Sequence, residues 1–243
     1  MVPFAEGVWH DTGSVRFLGL RLTANMTVLD LGEGELLVHS PLPLTTERRS
    51  AVAALGRVAH LYAPNTFHHL WVGEWSAAYP EACVHAPAAL ANKRKDLRID
   101  RFHDQARAPI SDAVAEIPIE GFRLVETALV HRPSGTAVVT DLVHNVGRPT
   151  HLWTKLYSSV MGFYDRVAQS RVIRWTAYDD RAAARRSVDA LLAHPFERLI
   201  VGHGEPLPEG AHATLAMATA WLPASRPQLT AAPTPPFFGK PCG

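Results

Sequence analysis

Five side chains able to bind a metal or move a proton lie where predicted strands end: His68, His69, His131, Asp141 and His203. Histidine is the commonest metal ligand in proteins and the usual acid or base near neutral pH. A carboxylate beside several imidazoles forms a ligand set that suits zinc, iron or manganese. Adjacent histidines, as in "NTFHH", can equally be one buried, hydrogen-bonded imidazole and one exposed imidazole. The pattern therefore predicts either a metal site or a group of structural histidines.

Alternating strand and helix patterns fill the first half of the chain. The segments "MTVLDL" and "ELLVHSP", residues 26–31 and 35–41, predict two strands joined by the turn "GEG". Residues 45–57 predict a helix that begins at a threonine cap. A strand at 58–63, a helix at 70–79 and a strand at 82–87 follow. This rhythm indicates a layered α/β fold.

The second half begins with strand patterns and then alternates again. Residues 116–143 predict antiparallel strands with the turn "PSG", and residues 152–164 and 179–193 predict helices. A buried strand, "RLIVGHG", and a last helix complete the order. The arrangement favours two sheets packed face to face with helices outside. Loops at the ends of strands are common places for catalytic groups, which makes the five side chains candidates for one site.

Composition excludes several classes of partner. Apolar residues make up 47% of the 243 residues and charged residues 19%, as in an ordinary globular protein. The net charge of +1 provides no basic field, so neither nucleic acid nor an anionic membrane is expected as a partner. The opening segment lacks the features of a signal peptide, and no apolar window is long enough to span a bilayer. A soluble, cytoplasmic protein is predicted.

Residues 1–222 are predicted to form one domain, and residues 223–243 a proline-rich tail. The tail carries Phe237 and Phe238 among its prolines. We expect it to pack across a groove on its own chain or on a second copy, which would make a homodimer. Two cysteines, Cys83 and Cys242, form neither a disulfide framework nor a Cys-x-x-Cys metal motif.

Three segments resemble the metallo-β-lactamase-like superfamily: "NTFHHLW", "LVHRPSGTAVVTDLV" and "LIVGHGEPL". The likeness covers roughly residues 26–221. The stretches "LLVHSPLPL", "PNTFHHLW" and "ANKRKDL" look like a branch of that superfamily described as domains of unknown function. The resemblance implies an α/β fold in the form of an αββα sandwich, with one or two metal ions, usually zinc, at the ends of its sheets.

The first metal motif of that superfamily, His-x-His-x-Asp-His, is degenerate in this chain. Position by position it falls on Pro64, Thr66, His68 and His69, so that two histidines are absent and only the last position keeps the family residue. Pro64 and Thr66 cannot replace imidazole ligands. The resemblance therefore implies one intact metal position with one divalent ion, zinc by preference and iron or manganese as alternatives.

The other motifs match the superfamily. His131 resembles the histidine of the second motif, Asp141 the bridging aspartate and His203 the last ligand. The implied ligands are His68, His69, His131, Asp141 and His203. His131 either completes this set or stands beside it as a base.

The sequence thus predicts a metal-dependent hydrolase with a small-molecule substrate. The metal would lower the pKa of a bound water toward about 7. Asp141 would hold the metal or orient the water, and His131 or His68, if not a ligand, would act as a general base. Esters, lactones, thioesters and phosphoesters are all compatible. A non-catalytic metal- or ligand-binding protein and an iron-dependent redox enzyme remain alternatives.

Overall fold

The computed structural model describes residues 1–105 and 108–223. Within these ranges, seven strands lie side by side in chain order in the first sheet. They are Val2–Ala5 (β1), Val8–Phe17 (β2), Leu20–Asp30 (β3), Glu35–His39 (β4), Arg57–Tyr62 (β5), Cys83–Ala86 (β6) and Arg101–Phe102 (β7). Strands β1 to β4 are antiparallel to their neighbours, whereas β4 to β7 are parallel.

The second sheet contains four strands among the described residues: Val114–Pro118 (β8), Thr127–His131 (β9), Thr136–Val138 (β10) and Arg198–Ile200 (β11). Their order across the sheet is β11-β10-β9-β8. Strand β9 is antiparallel to β10, and β10 is parallel to β11. Segments that follow β10 and β11 therefore leave the sheet at the same end.

Helices cover the outer faces of both sheets. They are Thr46–Ala53 (α1), Val72–Ala78 (α2), Ala88–Lys93 (α3), Leu152–Met161 (α4), Arg171–Thr176 (α5), Arg181–Leu192 (α6) and Ala211–Thr219 (α7). Val52 of α1 and Leu90 of α3 pack against the first sheet in one apolar core. Val188 of α6 and Leu215 of α7 pack against the second sheet in another.

A third apolar core lies between the two sheets. It joins Leu29, Leu37 and Tyr62 of the first sheet to Leu129 and Ile200 of the second. Alternate residues of a strand point to opposite faces, so each sheet presents one apolar face to its helices and another to its partner sheet. The layers are therefore helix, sheet, sheet and helix, as the sequence predicts.

The predicted strands and helices are found with shifted ends. Thr45 caps α1 by accepting a hydrogen bond from the Arg48 N–H, as predicted for a threonine at this position. Strand β2, the first half of β3 and helices α3 and α5 had no clear signal, because β2 is half-exposed and largely polar and both helices are short. The predicted tail, apart from its first residue, lies outside the described residues.

No helix in the described part of the chain is long and apolar enough to cross a membrane.

Candidate metal centre

Three of the five predicted side chains converge at one end of the sandwich: His68, Asp141 and His203. They follow β5, β10 and β11 respectively. The Nε2 atom of His68 lies 3.6 Å from Oδ2 of Asp141, and the Nε2 atom of His203 lies 3.9 Å from Oδ1. One potential ligand atom from each residue lies within 4.8 Å of the other two. We call these three residues the candidate centre.

Asn65 positions two members of the candidate centre. Its Oδ1 accepts hydrogen bonds from the backbone N–H groups of Phe67 and His68, both at 2.8 Å, which fixes the turn after β5. Its Nδ2 donates to Oδ2 of Asp141 at 2.7 Å and to the Thr140 hydroxyl at 2.9 Å. Asn65 thus ties the end of β5 to the segment after β10. This role was not predicted from the sequence, although an asparagine directly after a buried strand is a known turn signal.

Glu126 stabilises the backbone of the segment that carries Asp141. Its carboxylate accepts hydrogen bonds from the backbone N–H groups of Thr140, Asp141 and Leu142. Burial and the nearby Asp141 carboxylate raise the pKa of Glu126 to about 7. Because the side chain is only 1% exposed and both its oxygens accept from the backbone, its role is to shape this turn.

Both imidazoles of the candidate centre are oriented through their Nδ1 atoms. The Nδ1 atom of His203 lies 2.7 Å from the Thr23 carbonyl oxygen, and the Nδ1 atom of His68 lies 2.9 Å from the Ser40 hydroxyl. A carbonyl oxygen can only accept, so His203 carries its proton on Nδ1 and turns an Nε2 lone pair toward Asp141. Metal-binding histidines are usually held in this way by a partner on the other nitrogen.

The charges at the candidate centre fit a bound cation. Burial lowers the pKa of His203 to about 4, so at neutral pH its Nε2 lone pair faces a carboxylate oxygen. Burial would raise the pKa of Asp141, but the adjacent His68 and His203 hold it well below its usual value. Burial would lower the pKa of His68, but Asp141 outweighs it and raises that pKa. Two electron-pair donors that face each other in a buried site favour a cation near them, and two imidazoles with one carboxylate suit a divalent metal.

His69, the second predicted ligand in this turn, lines the same cavity but is not among the residues whose potential ligand atoms meet at the candidate centre. Its Nδ1 lies 3.1 Å from Nη1 of Arg94. A guanidinium can only donate, so Nδ1 accepts and the ring proton lies on Nε2. Burial, then Lys93 and Arg94, lower the pKa of His69 to about 4. Of the two adjacent histidines, His68 is the one that contributes a potential ligand atom near Asp141.

His131, predicted as a ligand or base, is separated from the candidate centre. It lies opposite Thr136 at the start of β10, whereas Asp141 follows the end of that strand. Its Nε2 lies 2.8 Å from the Asp30 carbonyl oxygen, and its Nδ1 lies 2.8 Å from the Ser134 hydroxyl. The two strands of this hairpin run in opposite directions, so His131 and Asp141 lie toward opposite ends of the sheet.

An apolar cavity of about 450 Å³ opens over the candidate centre. His68, Asp141 and His203 form part of its lining, and Arg16 and Lys93 also contribute. The rest of its wall is mainly apolar and includes Val15, Phe17, Leu22, Leu70, Trp71, Leu124, Ile173 and Ala177. Volumes of this order are typical of small-molecule sites.

No protein-family model and no curated protein sequence matches the chain. Solved structures do match. A metallo-β-lactamase from Pontibacter korlensis has a TM-score of 0.62 at 13% identity, covering 91% of this chain and 97% of that one. The metallo-β-lactamase FIM-1 of Pseudomonas aeruginosa, in its mono-zinc form, has a TM-score of 0.56 at 10% identity, covering 90% and 93%. The metal-soaked Flv1 flavodiiron core from Synechocystis has a TM-score of 0.61 at 12% identity, covering 91% of this chain and 60% of that one.

The protein therefore has the metallo-β-lactamase fold. Its candidate centre lies where the segments after β5, β10 and β11 meet. Identities of 10–13% demonstrate the fold and leave the reaction to be argued from the site itself.

The first prediction concerns the number of ions at the candidate centre. We expect His203→Ala to lose about one equivalent of bound metal per chain, because Pro64 and Thr66 supply no imidazole for a second ion there. His212→Ala is the matched control, since His212 lies on α7 and contacts the Leu192 carbonyl oxygen at 2.7 Å. Elemental analysis of metal-replete proteins measures the difference. Equal metal contents in the two variants, or a loss of two equivalents, would contradict the assignment.

Proposed function

We propose that the protein is a metal-dependent hydrolase acting on small-molecule esters, lactones or thioesters that carry an apolar group. The observation that supports it is the candidate centre, two imidazoles and a carboxylate at the base of an apolar cavity. A divalent ion held by His68, Asp141 and His203, zinc by preference and iron or manganese as alternatives, would polarise a carbonyl oxygen and lower the pKa of a bound water.

In this proposal the protein's own groups orient the metal ligands and the attacking water. Asp141 would help to hold the ion and orient the attacking water, and its Oδ1 is the oxygen that Asn65 leaves unoccupied. Asn65 prevents rotation of the carboxylate, and the Thr23 carbonyl and Ser40 hydroxyl prevent rotation of the two imidazoles. A site held in this way needs little reorganisation as charge develops on the substrate oxygen.

The cavity wall favours an apolar substrate. Phe17, Trp71, Leu124 and Ile173 can cover an acyl or ring group, and burial of each CH₂ contributes about 0.8 kcal/mol. A phosphoester dianion needs several cationic partners. Of the two basic residues in the lining, Lys93 already donates to the Thr66 carbonyl oxygen at 2.8 Å. Carbonyl substrates therefore fit this cavity better than phosphoesters.

The test is a substrate panel assayed with chelator-treated protein before and after addition of Zn²⁺, Mn²⁺ or Fe²⁺. The panel contains nitrophenyl esters of increasing acyl length, lactones, thioesters and phosphoesters. We expect metal-dependent turnover of carbonyl substrates whose kcat/KM increases with acyl length, by roughly threefold to fourfold per CH₂. Activity without metal, or a preference for phosphoesters, would overturn the proposal. The absence of turnover in metal-replete protein would favour a non-catalytic binding protein.

An iron-dependent redox enzyme is the second candidate, because a flavodiiron core is among the proteins that share the fold. Elemental analysis after purification without chelator or added metal separates the two. Iron together with an iron-dependent visible absorption that changes on reduction would favour redox chemistry. Zinc would favour hydrolysis.

A further inference from the structure

A second group of metal-ligand side chains lies on the first sheet: His60, Cys83 and His85. His60 of β5 is the register partner of Cys83 at the start of β6, and His85 lies two residues further along β6. Alternate residues of a strand share a face, so all three side chains point to the same side of the sheet. One potential ligand atom from each lies within 4.8 Å of the other two. We call this group the strand cluster.

The strand cluster lies on the face of the first sheet that looks toward the second. The alternate residues, Leu61 and Val84, pack in the core beneath the helices, and Tyr62 belongs to the core between the sheets. His85 is fully buried, whereas His60 and Cys83 are half-buried. The cluster is therefore held by sheet structure and still reached by solvent, and it shares no residue with the candidate centre.

The spacing of the strand cluster suits a tetrahedral ion after a small adjustment. Zinc bonds of about 2.1 Å to nitrogen and about 2.3 Å to sulfur place tetrahedral ligands about 3.4 to 3.8 Å apart. The Nδ1 atom of His60 and the Nε2 atom of His85 lie 2.8 Å apart, in hydrogen-bond contact. An ion replacing that proton would separate the rings by roughly half an ångström. His60, being half-buried, has room to move.

Charge around the strand cluster does not oppose a cation. Arg57 and Arg101 are the cationic groups that act on His60, and Glu35 is the anionic one. Arg57 pairs with Glu35, and Arg101 lies 3.2 Å from a carboxylate oxygen of Glu116. Both arginines are thus neutralised locally. A cysteine thiolate formed on binding would add one negative charge at the cluster itself, with its proton released to solvent.

We propose that His60, Cys83 and His85 form a second metal site, for a thiophilic divalent ion such as Zn²⁺, with water as the fourth ligand. The ion cross-links β5 to β6. Two imidazoles and one thiolate differ in kind from the candidate centre, which contains no sulfur. The site therefore gives a spectroscopic signature of its own, independent of any hydrolytic activity.

Cobalt provides the test, because thiolate-bound Co²⁺ absorbs in the near ultraviolet and Co²⁺ bound only to imidazole and carboxylate does not. The starting protein is a chelator-treated full-length Asp141→Asn variant, in which the candidate centre is impaired. Titration with Co²⁺ is expected to produce the thiolate band, with saturation at one equivalent. In the same background, Cys83→Ser is expected to abolish the band, whereas Cys242→Ser, the matched control, keeps it.

A second variant keeps the test decisive if Cys83→Ser fails to fold. His60→Gln alters a half-buried side chain and is expected to weaken Co²⁺ binding at the thiolate site by at least tenfold. Absence of the band, its persistence in Cys83→Ser, or its loss in Cys242→Ser would overturn the proposal. If the band is absent, the strand cluster is a hydrogen-bonded histidine pair beside a cysteine and binds no metal.

Discussion

Asp141→Asn is expected to weaken metal binding at the candidate centre at least about 100-fold and to reduce metal-dependent turnover accordingly. This loss exceeds the one typical of residues that only support metal ligands. Asp141 supplies the only carboxylate of the three ligands, whereas His68 and His203 supply neutral donors when metal is bound. Asparagine keeps the shape and its amide oxygen still accepts from Asn65, so the fold is expected to persist. Circular dichroism of the metal-free variant checks that persistence.

His68→Ala is the comparison variant. It removes one neutral donor and leaves the carboxylate in place, so we expect a smaller loss than in Asp141→Asn. Metal dissociation constants and kcat/KM measured for both variants on one substrate give the ranking. Turnover that survives Asp141→Asn but disappears in His68→Ala would identify His68 as the group that matters more and would reverse the roles of the two residues.

Acid is expected to destabilise the metal-free protein strongly between pH 6.5 and 4. Burial lowers the pKa of His39 to about 3, and burial lowers those of His103 and His203 to about 4. A histidine whose folded pKa is lowered contributes stability that is present above its unfolded pKa and is lost as pH falls toward the folded value. Each such group costs about 1.4 kcal/mol per pH unit in that window.

Glu126 changes the free energy of unfolding with pH in the opposite direction to these histidines, but it does not reverse the loss of stability in acid. Its folded pKa is raised to about 7, so its contribution is present below its unfolded pKa and is lost as pH rises through 7. The pKa values of His68 and Glu116 are raised as well, but more of the buried histidines have lowered pKa values. Urea unfolding of chelator-treated protein at a series of pH values measures the sum, and a free energy of unfolding that is constant from pH 7 to pH 5 would contradict it.

His39→Phe isolates one of these groups. The His39 ring is 1% exposed and stacks on Tyr62 with ring centroids 5.8 Å apart, and neither ring nitrogen has a hydrogen-bond partner among the described residues. Phenylalanine keeps the stacking and cannot be protonated. We expect its stability advantage over the wild type to grow by about 2 kcal/mol between pH 7.5 and pH 5. Each protein serves as its own reference at pH 7.5, so the effect of the packing change on the free energy of unfolding cancels. A difference in stability that does not grow between pH 7.5 and pH 5 would exclude His39 as a source of acid sensitivity.

The sequence by itself predicted the layered fold, and it named three residues that the structure brings together. Local signals carried much of this: apolar strands bounded by turns, the Thr45 cap, and polar residues in the segments that follow β5, β10 and β11. Parallel neighbours such as β10 and β11 end at the same edge, so Asp141 and His203 meet without any long-range information beyond strand direction. The positions of their side chains therefore followed from the order of elements.

The tertiary structure decided the rest, because it depends on contacts between residues far apart in the chain. Arg94 of the segment after α3 contacts Nδ1 of His69, and nothing near "NTFHH" encodes that contact. The separation of His131 from Asp141 could have been predicted from the sequence. The turn "RPSG" makes β9 and β10 a hairpin, so His131 at the end of β9 lies beside the start of β10, whereas Asp141 follows its end. The strand cluster depends on register: His60 meets Cys83 only because β5 and β6 pair in parallel at one particular offset, and no local pattern fixes that offset.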